Sequence, residues 1–192
     1  GLTSGNYDIT FVGGTLSVVR AEGQVTVAAL DAKTYGDAPF ALDVDTHGSD
    51  GAVTFESSDT DVITVDDAGV VTIVNAGSAV ISVKLARGSN YVAAQTTVEI
   101  DVARKDIADA EIELGEGLTY NGSQQTQTVT SVTADGLDVT YTVSGEKRTD
   151  AGTYTLTVTG TGNFTGTAGK RFTIAPMDIS NAVVTAADVV YN

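Results

Sequence analysis

Apolar and polar residues alternate with a period of two along most of the chain. In the segment 79–85 every second position is apolar, while Ser82 and Lys84 fall on the other face. From residue 154 to residue 159, three apolar residues alternate with three threonines. A sheet with one buried face requires this alternation, whereas no stretch shows a convincing helical period. The sequence therefore predicts an all-β fold.

Gly, Asn and Asp interrupt the alternating runs and mark the turns between predicted strands. Short strands at this close spacing are typical of a Greek-key β-sandwich. The predicted strands lie near residues 23–30, 39–45, 52–57, 61–66, 69–74, 78–86 and 95–103, and then near 107–114, 126–133, 138–144, 153–160 and 169–175.

Short motifs recur along the chain. The motif Asp-Ile-x-x-Ala occupies residues 106–110 and again residues 178–182, and the pair Tyr120-Asn121 recurs as Tyr191-Asn192. We interpret the chain as part of a tandem array of repeats.

An Asn followed by an aromatic residue marks a second recurring position, at Asn6, Asn90 and Asn163, with spacings of 84 and 73 residues. Such periods exceed those of solenoid repeats and match units that each fold around a core of their own.

The repeats divide the chain into two complete predicted units between two partial ones. Residues 1–20 are the predicted last strand or strands of a preceding repeat, 21–104 and 105–176 are complete domains, and 177–192 start a following repeat. The junctions contain no Gly/Ser tract, which predicts limited bending between neighbours. We expect the two partial units to pair with each other, with a neighbouring molecule or with an adjacent domain, because a lone strand leaves backbone groups unpaired.

A long ordered motif in the first predicted domain resembles the bacterial immunoglobulin-like (Big) repeats. An aromatic residue and a Ser-Ser-Asp step at 55–59 are followed by Ile-Thr-Val-Asp at 63–66, a Gly turn at 69, and Ala-Gly-Ser-Ala at 76–79. Upstream, residues 34–40 are similar to the opening of the MBG-type repeats of bacterial surface proteins.

The second predicted domain resembles MBG/YDG-type surface repeats. The segments 118–122, 150–154 and 160–164 carry the resemblance. The second of them is also the Asp-x-Gly-x-Tyr motif of immunoglobulin folds, which implies that the Tyr154 hydroxyl bonds back to nearby backbone in a tyrosine corner.

Leu156 stands where an immunoglobulin domain carries a Cys, two residues after the corner Tyr. The aligned residues of the first domain are Ala79 and Ile81, so the alignment implies that this domain lacks the corner. Apolar packing is expected to replace the inter-sheet disulfide in both domains.

The resemblance implies tandem immunoglobulin-like Greek-key β-sandwiches at the extracellular bacterial cell surface. It implies a non-enzymatic structural or stalk repeat region of a large exported, adhesin-like protein, which spaces or presents a distal functional domain. The alternative is a glycan- or protein-binding immunoglobulin-like module of an adhesin or of a secreted carbohydrate-active enzyme, for which the loops 45–51 and 145–150 are the first candidates. The implied partners are neighbouring repeats and, for the alternative, a host or matrix glycan or protein.

Composition narrows the partners and the chemistry. Twenty-five acidic and 10 basic residues give a net charge of −15, which opposes binding to nucleic acid. The absence of Cys excludes disulfides and thiolate metal sites. No stretch is apolar enough to cross a bilayer, so no membrane insertion is expected of this fragment.

Residues for catalysis are scarce. His47 is the only histidine, and the Gly and Ser residues around it favour a solvated turn over a general base or metal ligand. No serine lies in a Gly-x-Ser-x-Gly nucleophile elbow. We therefore predict that the chain is not an enzyme and that it has no catalytic, cofactor-binding or metal-binding residues. We expect no cofactor.

A calcium site is the alternative to that prediction, because four carboxylates cluster in sequence. Asp59, Asp61, Asp66 and Asp67 lie close in sequence and could supply oxygen ligands, but their spacing does not fit an EF-hand loop. We interpret them as turn residues whose side chains bond to nearby backbone.

Two further patterns have both a functional and a structural interpretation. Asn121 and Asn163 open Asn-x-Ser/Thr glycosylation motifs, although both also lie in predicted turns. Tyr7, Tyr91 and Phe164 recur at one repeat position and could stack on sugars, but recurrence in every unit favours a core or loop anchor.

Overall fold

The structure, a computed structural model, describes residues 5–183 and 185, and within them it contains strands and no helix. The predicted all-β class is confirmed. The predicted repeat at Tyr191-Asn192 lies outside the described residues.

The first part of the chain forms nine strands, which with their core we call the first unit. They are β1 (Thr26–Val27), β2 (Lys33–Thr34), β3 (Phe40–Ala41), β4 (Val44–Asp45), β5 (Val53–Ser57), β6 (Ile63–Val65), β7 (Val70–Ile73), β8 (Gly77–Leu85) and β9 (Ala94–Ala103). A four-stranded sheet has the order β2-β9-β8-β5, a three-stranded sheet the order β3-β7-β6, and β1 pairs with β4.

The core of the first unit is built on the alternation of β8. Ala79, Ile81, Val83 and Leu85 are at most 3% exposed, as the pattern predicts, while Lys84 is exposed. The other buried members come from the remaining strands and the loops between them: Val25, Leu42, Ile63, Val71, Ile100 and Val102. Each fully buried Ile side chain contributes about 1.5–3 kcal/mol relative to an exposed one.

The rest of the chain forms eleven strands, which with their core we call the second unit. They are β10 (Lys105–Asp106), β11 (Glu111–Leu114), β12 (Leu118–Thr119), β13 (Gln125–Thr126), β14 (Val129–Ala134), β15 (Leu137–Asp138), β16 (Tyr141–Ser144), β17 (Lys147–Arg148), β18 (Gly152–Gly160), β19 (Phe164–Thr165) and β20 (Thr167–Ala175). The sheets have the orders β12-β20-β18-β16, β11-β14-β15, β13-β17 and β10-β19.

The second unit has a separate core, which includes Leu156 and Val158 from β18 and Phe172 and Ile174 from β20. Both cores lie within the predicted domains 21–104 and 105–176. The domain bounds themselves, and the tandem-sandwich arrangement, stay predictions.

The two units close their four-stranded sheets in the same way. In each, a short early strand pairs in parallel with the last strand: Lys33 lies opposite Val102, and Leu118 opposite Ile174. Gly77 of β8 and Gly152 of β18 face those same last-strand residues from the other side. The last strand is therefore central in both sheets.

Several predicted strands are shorter or divided in the structure. The predicted strand 138–144 is two strands, because the chain leaves β15 in one sheet and enters β16 in another. The predicted strand 107–114 begins at Glu111, since a turn closed by a hydrogen bond from Ala110 N to Ile107 O precedes it. The two-residue strands β2, β12, β17 and β19 were not predicted, because pairing with distant segments defines them rather than a local pattern.

The segment 5–20 contains no strand in the structure. Its apolar side chains face solvent, with Leu16 90% and Val18 85% exposed. Its assignment to a preceding repeat stays a prediction, as does the assignment of 177–192 to a following one.

A tyrosine corner stabilises the start of β18, as the motif implies. The Tyr154 hydroxyl donates to the Asp150 carbonyl oxygen over 3.0 Å. The centroid of the Tyr154 ring lies 5.7 Å from that of Phe172. The Arg148 guanidinium lies over the face of the Tyr154 ring, 5.1 Å from its centroid. At the two positions that carry Cys in immunoglobulins, Leu156 and Ile81 are fully buried. Apolar packing replaces the disulfide, as expected.

Replacing Tyr154 with Phe tests the corner. The variant keeps the ring contacts and loses one hydrogen bond, so we expect the free energy of unfolding of the second unit to fall by about 1 kcal/mol. Denaturant titration followed by Tyr fluorescence or NMR measures this. Tyr141→Phe is the matched control, since none of the described residues hydrogen-bonds its hydroxyl. An unchanged stability of the Tyr154 variant would contradict the assignment.

Asp50 connects two loops at one end of the first unit. Its carboxylate accepts hydrogen bonds from the Ser89 amide over 2.8 Å and from the Ser89 hydroxyl over 2.7 Å. The hydroxyl bond, and after it the amide bond, lower the pKa of Asp50 below its ordinary value because both stabilise the charged form.

The lowered pKa makes this contribution to stability pH-dependent. It is fully present above the pKa of the unfolded chain and is lost as pH falls through the lower pKa of the folded state. We expect the stability difference between the wild type and Asp50→Asn to shrink between roughly pH 5 and pH 2. Urea titrations at both ends of that range measure it. Ser89→Ala should weaken the dependence, and a difference that is constant with pH would exclude this role for Asp50.

Candidate functional site: the junction of the two units

A single residue connects the two units. Strand β9 ends at Ala103 and β10 begins at Lys105, so only Arg104 lies between them. Lys105 pairs in parallel with Phe164, and its amide donates to the Asn163 carbonyl oxygen over 2.9 Å. The chain therefore joins the sheet system of the second unit immediately after leaving that of the first.

The side chain of Asn163 bridges the two units. Its Oδ1 accepts from the Ala76 amide over 2.9 Å, and its Nδ2 donates to Asn75 Oδ1 over 2.7 Å. Asn75 in turn donates to the Asp61 carbonyl oxygen over 2.7 Å. One amide side chain thus holds the loop between β7 and β8 through both its donor and its acceptor.

An aromatic pair lies beside this bridge. The rings of Tyr35 and Phe164 meet edge to face, with centroids 5.5 Å apart and an interplanar angle of 81°. Phe164 is only 2% exposed, and Tyr35 packs against both hydrophobic cores. Edge-to-face aromatic pairs contribute about 0.5–1.5 kcal/mol beyond the burial of their area.

Gly36 permits a close approach at the same junction. Its φ of +93° is in a region that favours glycine, and a Cβ atom there would lie 2.4 Å from Leu137 Cδ1. A larger residue at position 36 would press against Leu137 at the start of β15.

An ion pair completes the contacts around the connecting residue. Lys105 Nζ lies 2.5 Å from Asp135 Oδ2, and this hydrogen bond raises the pKa of Lys105 above its ordinary value. A cleft lined by Thr34, Arg104 and Asp109 among others runs beside the pair. The hydrogen bonds of Asn163 and the ring pair cross from one unit to the other and so restrict bending and rotation between them, whereas the ion pair lies within the second unit.

His47, the only histidine, lies in a turn, as the turn interpretation predicts. Its φ of +50° and the φ of +82° at Gly48 form the turn after β4. The ring hydrogen-bonds to Thr26 Oγ1 over 3.1 Å and lies 3.6 Å from the Asp45 carboxylate.

Two of the clustered aspartates accept hydrogen bonds from backbone amides in their own turns. Asp59 Oδ1 accepts from the Asp61 amide, and Asp66 Oδ1 accepts from the amides of Ala68 and Val70. These bonds confirm the turn interpretation for Asp59 and Asp66. Among the described residues, no group of three or more His, Asp or Glu side chains is arranged to hold a metal ion. The expectations about cofactors and calcium stay untested predictions.

The role of Asn163 was not predicted. The sequence pattern favours a turn residue or a glycosylation acceptor at this position, whereas the Asn163 side chain bridges the two units. Among the described residues, Asn121 of the other acceptor motif bonds only locally, where its Oδ1 accepts from the Ser123 amide. The signal that could have identified Asn163 is the recurrence of Asn directly before an aromatic residue.

The recurring aromatic position has three different environments. Phe164 is buried, Tyr91 is half-buried, and Tyr7 is 77% exposed. The anchor interpretation is confirmed for Phe164, which joins the core of the second unit.

Family models match each unit separately. Residues 44–87 match the immunoglobulin-like domain of intimin, and residues 110–178 match the MBG domain. Both are immunoglobulin-like domains of bacterial surface proteins, so the resemblance inferred from the sequence is confirmed. The MBG-like opening at 34–40 lies outside both matched ranges and stays a prediction. These matches identify a structural module of the bacterial cell surface, and neither family is enzymatic.

Solved structures show only distant similarity. Domains 1–6 of the surface layer protein SbsC match with 13% identity and a TM-score of 0.29, over 83% of this chain and 29% of that one. Domains 4 and 5 of SbsC match with 15% identity and a TM-score of 0.30, over 82% of this chain and 100% of that one. This chain thus spans less than a third of the six-domain SbsC structure.

A third similar structure is SGBP-B of the mixed-linkage glucan utilization locus of Bacteroides ovatus, in complex with a mixed-linkage heptasaccharide. It has 14% identity and a TM-score of 0.25, over 79% of this chain and 47% of that one. No curated protein matches the chain. In the part that the structure describes, no helix is long and apolar enough to cross a membrane.

Asn163→Ala is expected to loosen the junction. The substitution leaves the Ala76 amide without its partner, so we expect that amide to exchange with solvent about tenfold faster or more, and the free energy of unfolding to fall by about 1–2 kcal/mol. Hydrogen exchange by NMR measures the first effect and urea titration the second. The control is Asn121→Ala, which removes only a local bond. Unchanged exchange at Ala76 would contradict the bridge.

Proposed function

We propose that this chain, with its two domains of bacterial surface-protein type, is a non-enzymatic stalk region of a large exported, adhesin-like protein. In this role it spaces or presents a distal functional domain and works outside the cell. Its partners are the neighbouring repeats of the same chain.

The observation that carries the proposal is the junction around Arg104. A flexible connection would let the two units swivel, and a protein that only tethers its ends needs nothing more. Here a one-residue connection is reinforced by the Asn163 bridge and by the Tyr35–Phe164 ring pair, both of which join the first unit to the second. Contacts that hold consecutive units in one orientation suit a spacer that must keep its length.

The charge supports the same role. A net charge of −15 on 192 residues makes the surface self-repelling and soluble. Repulsion between neighbouring stalks and between successive units favours an extended row that does not stick to itself.

The alternative role is a glycan- or protein-binding module of an adhesin or a secreted carbohydrate-active enzyme. It would place the ligand on the loops 45–51 or 145–150. A glycan array and a pull-down from matrix proteins distinguish the roles, since specific binding that is lost on substitution in either loop would favour the alternative.

Residual dipolar couplings test the spacer role directly. In weakly aligned solution we expect the amides of both units to fit one alignment tensor, because the junction holds them as one body. In the variant Asn163→Ala, which loses the hydrogen bonds to Ala76 and Asn75, the two units should need separate tensors while each core remains folded.

The matched control is Asn121→Ala, which changes the same residue type at an exposed position away from the junction. This control should keep a single tensor. Separate tensors in the wild type would refute the stalk role.

A further inference from the structure

The upstream end of the first unit is built like the upstream end of the second. The Ala21 amide donates to the Asn90 carbonyl oxygen over 2.8 Å, as the Lys105 amide donates to that of Asn163 over 2.9 Å. Ala21 pairs in parallel with Tyr91, as Lys105 pairs with Phe164. Asn90 and Tyr91 are therefore the structural equivalents of the two residues that the first unit covers at the junction.

The neighbouring turns are equivalent as well. His47 and Gly48 have φ values of +50° and +82°, and Asp135 and Gly136 have values of +49° and +80°. In the first unit a Cβ atom at Gly48 would lie 3.9 Å from the Tyr91 hydroxyl, and in the second unit Lys105, which pairs with Phe164, binds Asp135 of the turn. In the first unit Ser49 follows this turn, whereas in the second unit the larger Leu137 follows it.

Burial distinguishes the two ends. Asn163 is half-buried and Phe164 is buried at the junction, whereas Asn90 is exposed and Tyr91 only half-buried. We call Asn90, Tyr91 and the turn 46–49 the Asn90 face. Its backbone pairing and turn match those of the junction, while its side chains are more exposed.

The segment that leads into this face identifies what covers it. Arg20 precedes Ala21 as Arg104 precedes Lys105. Counted back from those residues, Leu16 and Val18 take the positions of Ile100 and Val102.

Ile100 and Val102 are 3% and 5% exposed in the last strand of the first unit, whereas Leu16 and Val18 are 90% and 85% exposed. The segment thus carries apolar residues at the positions that face the core in the last strand of a unit. No sheet of the described residues covers these side chains.

We propose that the Asn90 face docks an immunoglobulin-like unit whose last strand is the segment leading to Arg20, and that the Asn90 side chain locks it as Asn163 locks the first unit. The lock is a hydrogen bond from a backbone amide of the docked unit to Asn90 Oδ1, with an aromatic ring like Tyr35 against Tyr91. Because Ser49 replaces Leu137, the docked unit does not need a glycine at the position of Gly36. This proposal rests on the stalk role.

An internal duplication tests the lock in the full chain. A second copy of residues 21–104 is inserted between Arg20 and Ala21, so that Arg104 of the inserted copy runs directly into Ala21. The inserted copy brings its own Tyr35, Asn75 and Ala76 to the Asn90 face. With isotope label in the inserted copy alone, we expect its Ala76 amide to exchange about tenfold more slowly, or slower still, than in a variant without the lock.

The same substitution in two places supplies the variant and its control. Asn90→Ala in the original unit should remove the protection of the inserted Ala76. Asn90→Ala in the inserted copy faces away from the new junction and should leave that protection unchanged. Because Asn90 is exposed, neither change disturbs a core.

The outcomes separate this inference from the stalk role. If the inserted Ala76 exchanges freely while the original Ala76, bound to Asn163, stays protected, the Asn90 lock is refuted and the stalk role is untouched. If both amides exchange freely, both proposals are refuted. Protection of the inserted amide that is insensitive to Asn90→Ala in the original unit would also refute the lock.

Discussion

The one-residue connection at Arg104 is the constraint on which the rest of the junction depends. Strand β9 is central in the sheet of the first unit, and Lys105 enters the sheet system of the second unit at once. With so short a connection, the end of one unit must lie directly on the start of the next. The surfaces that meet there must satisfy their own polar groups, and Asn163 does so with both atoms of its amide. Gly36 contributes in a different way, by leaving room for Leu137.

Each unit otherwise depends on its own core, because neither has a disulfide. Ile81 and Leu156 are fully buried at the positions where an immunoglobulin domain carries its cysteines. Small cores of this kind leave little margin of stability, so the contacts outside them matter. The Tyr154 corner stabilises the start of β18. At the junction, the contact between the rings of Tyr35 and Phe164 stabilises the packing of one unit on the other.

Much of the fold could be predicted from local pattern. The alternation of β8 and β18 identified their buried faces, and the Asp-x-Gly-x-Tyr motif identified the hydroxyl bond of Tyr154. The two-residue strands β2 and β12 could not be predicted, because each exists only through parallel pairing with a last strand far along the chain. Most of the candidate site was missed for the same reason: Asn163 and its partner Asn75 are 88 residues apart, and neither segment contains a sign of the other.

The sequence by itself determined the β class, the two buried faces, the loss of the disulfide and the recurrence of the Asn-aromatic pair. These properties depend on neighbouring residues, and a period of two or a short motif records them. Only the tertiary structure decided what the recurring Asn does, because a hydrogen bond between units depends on where the connection at Arg104 places them. The same residue type is half-buried and doubly bonded at position 163 but exposed at position 90. The two residues differ because the first unit covers Asn163, whereas Asn90 is left exposed.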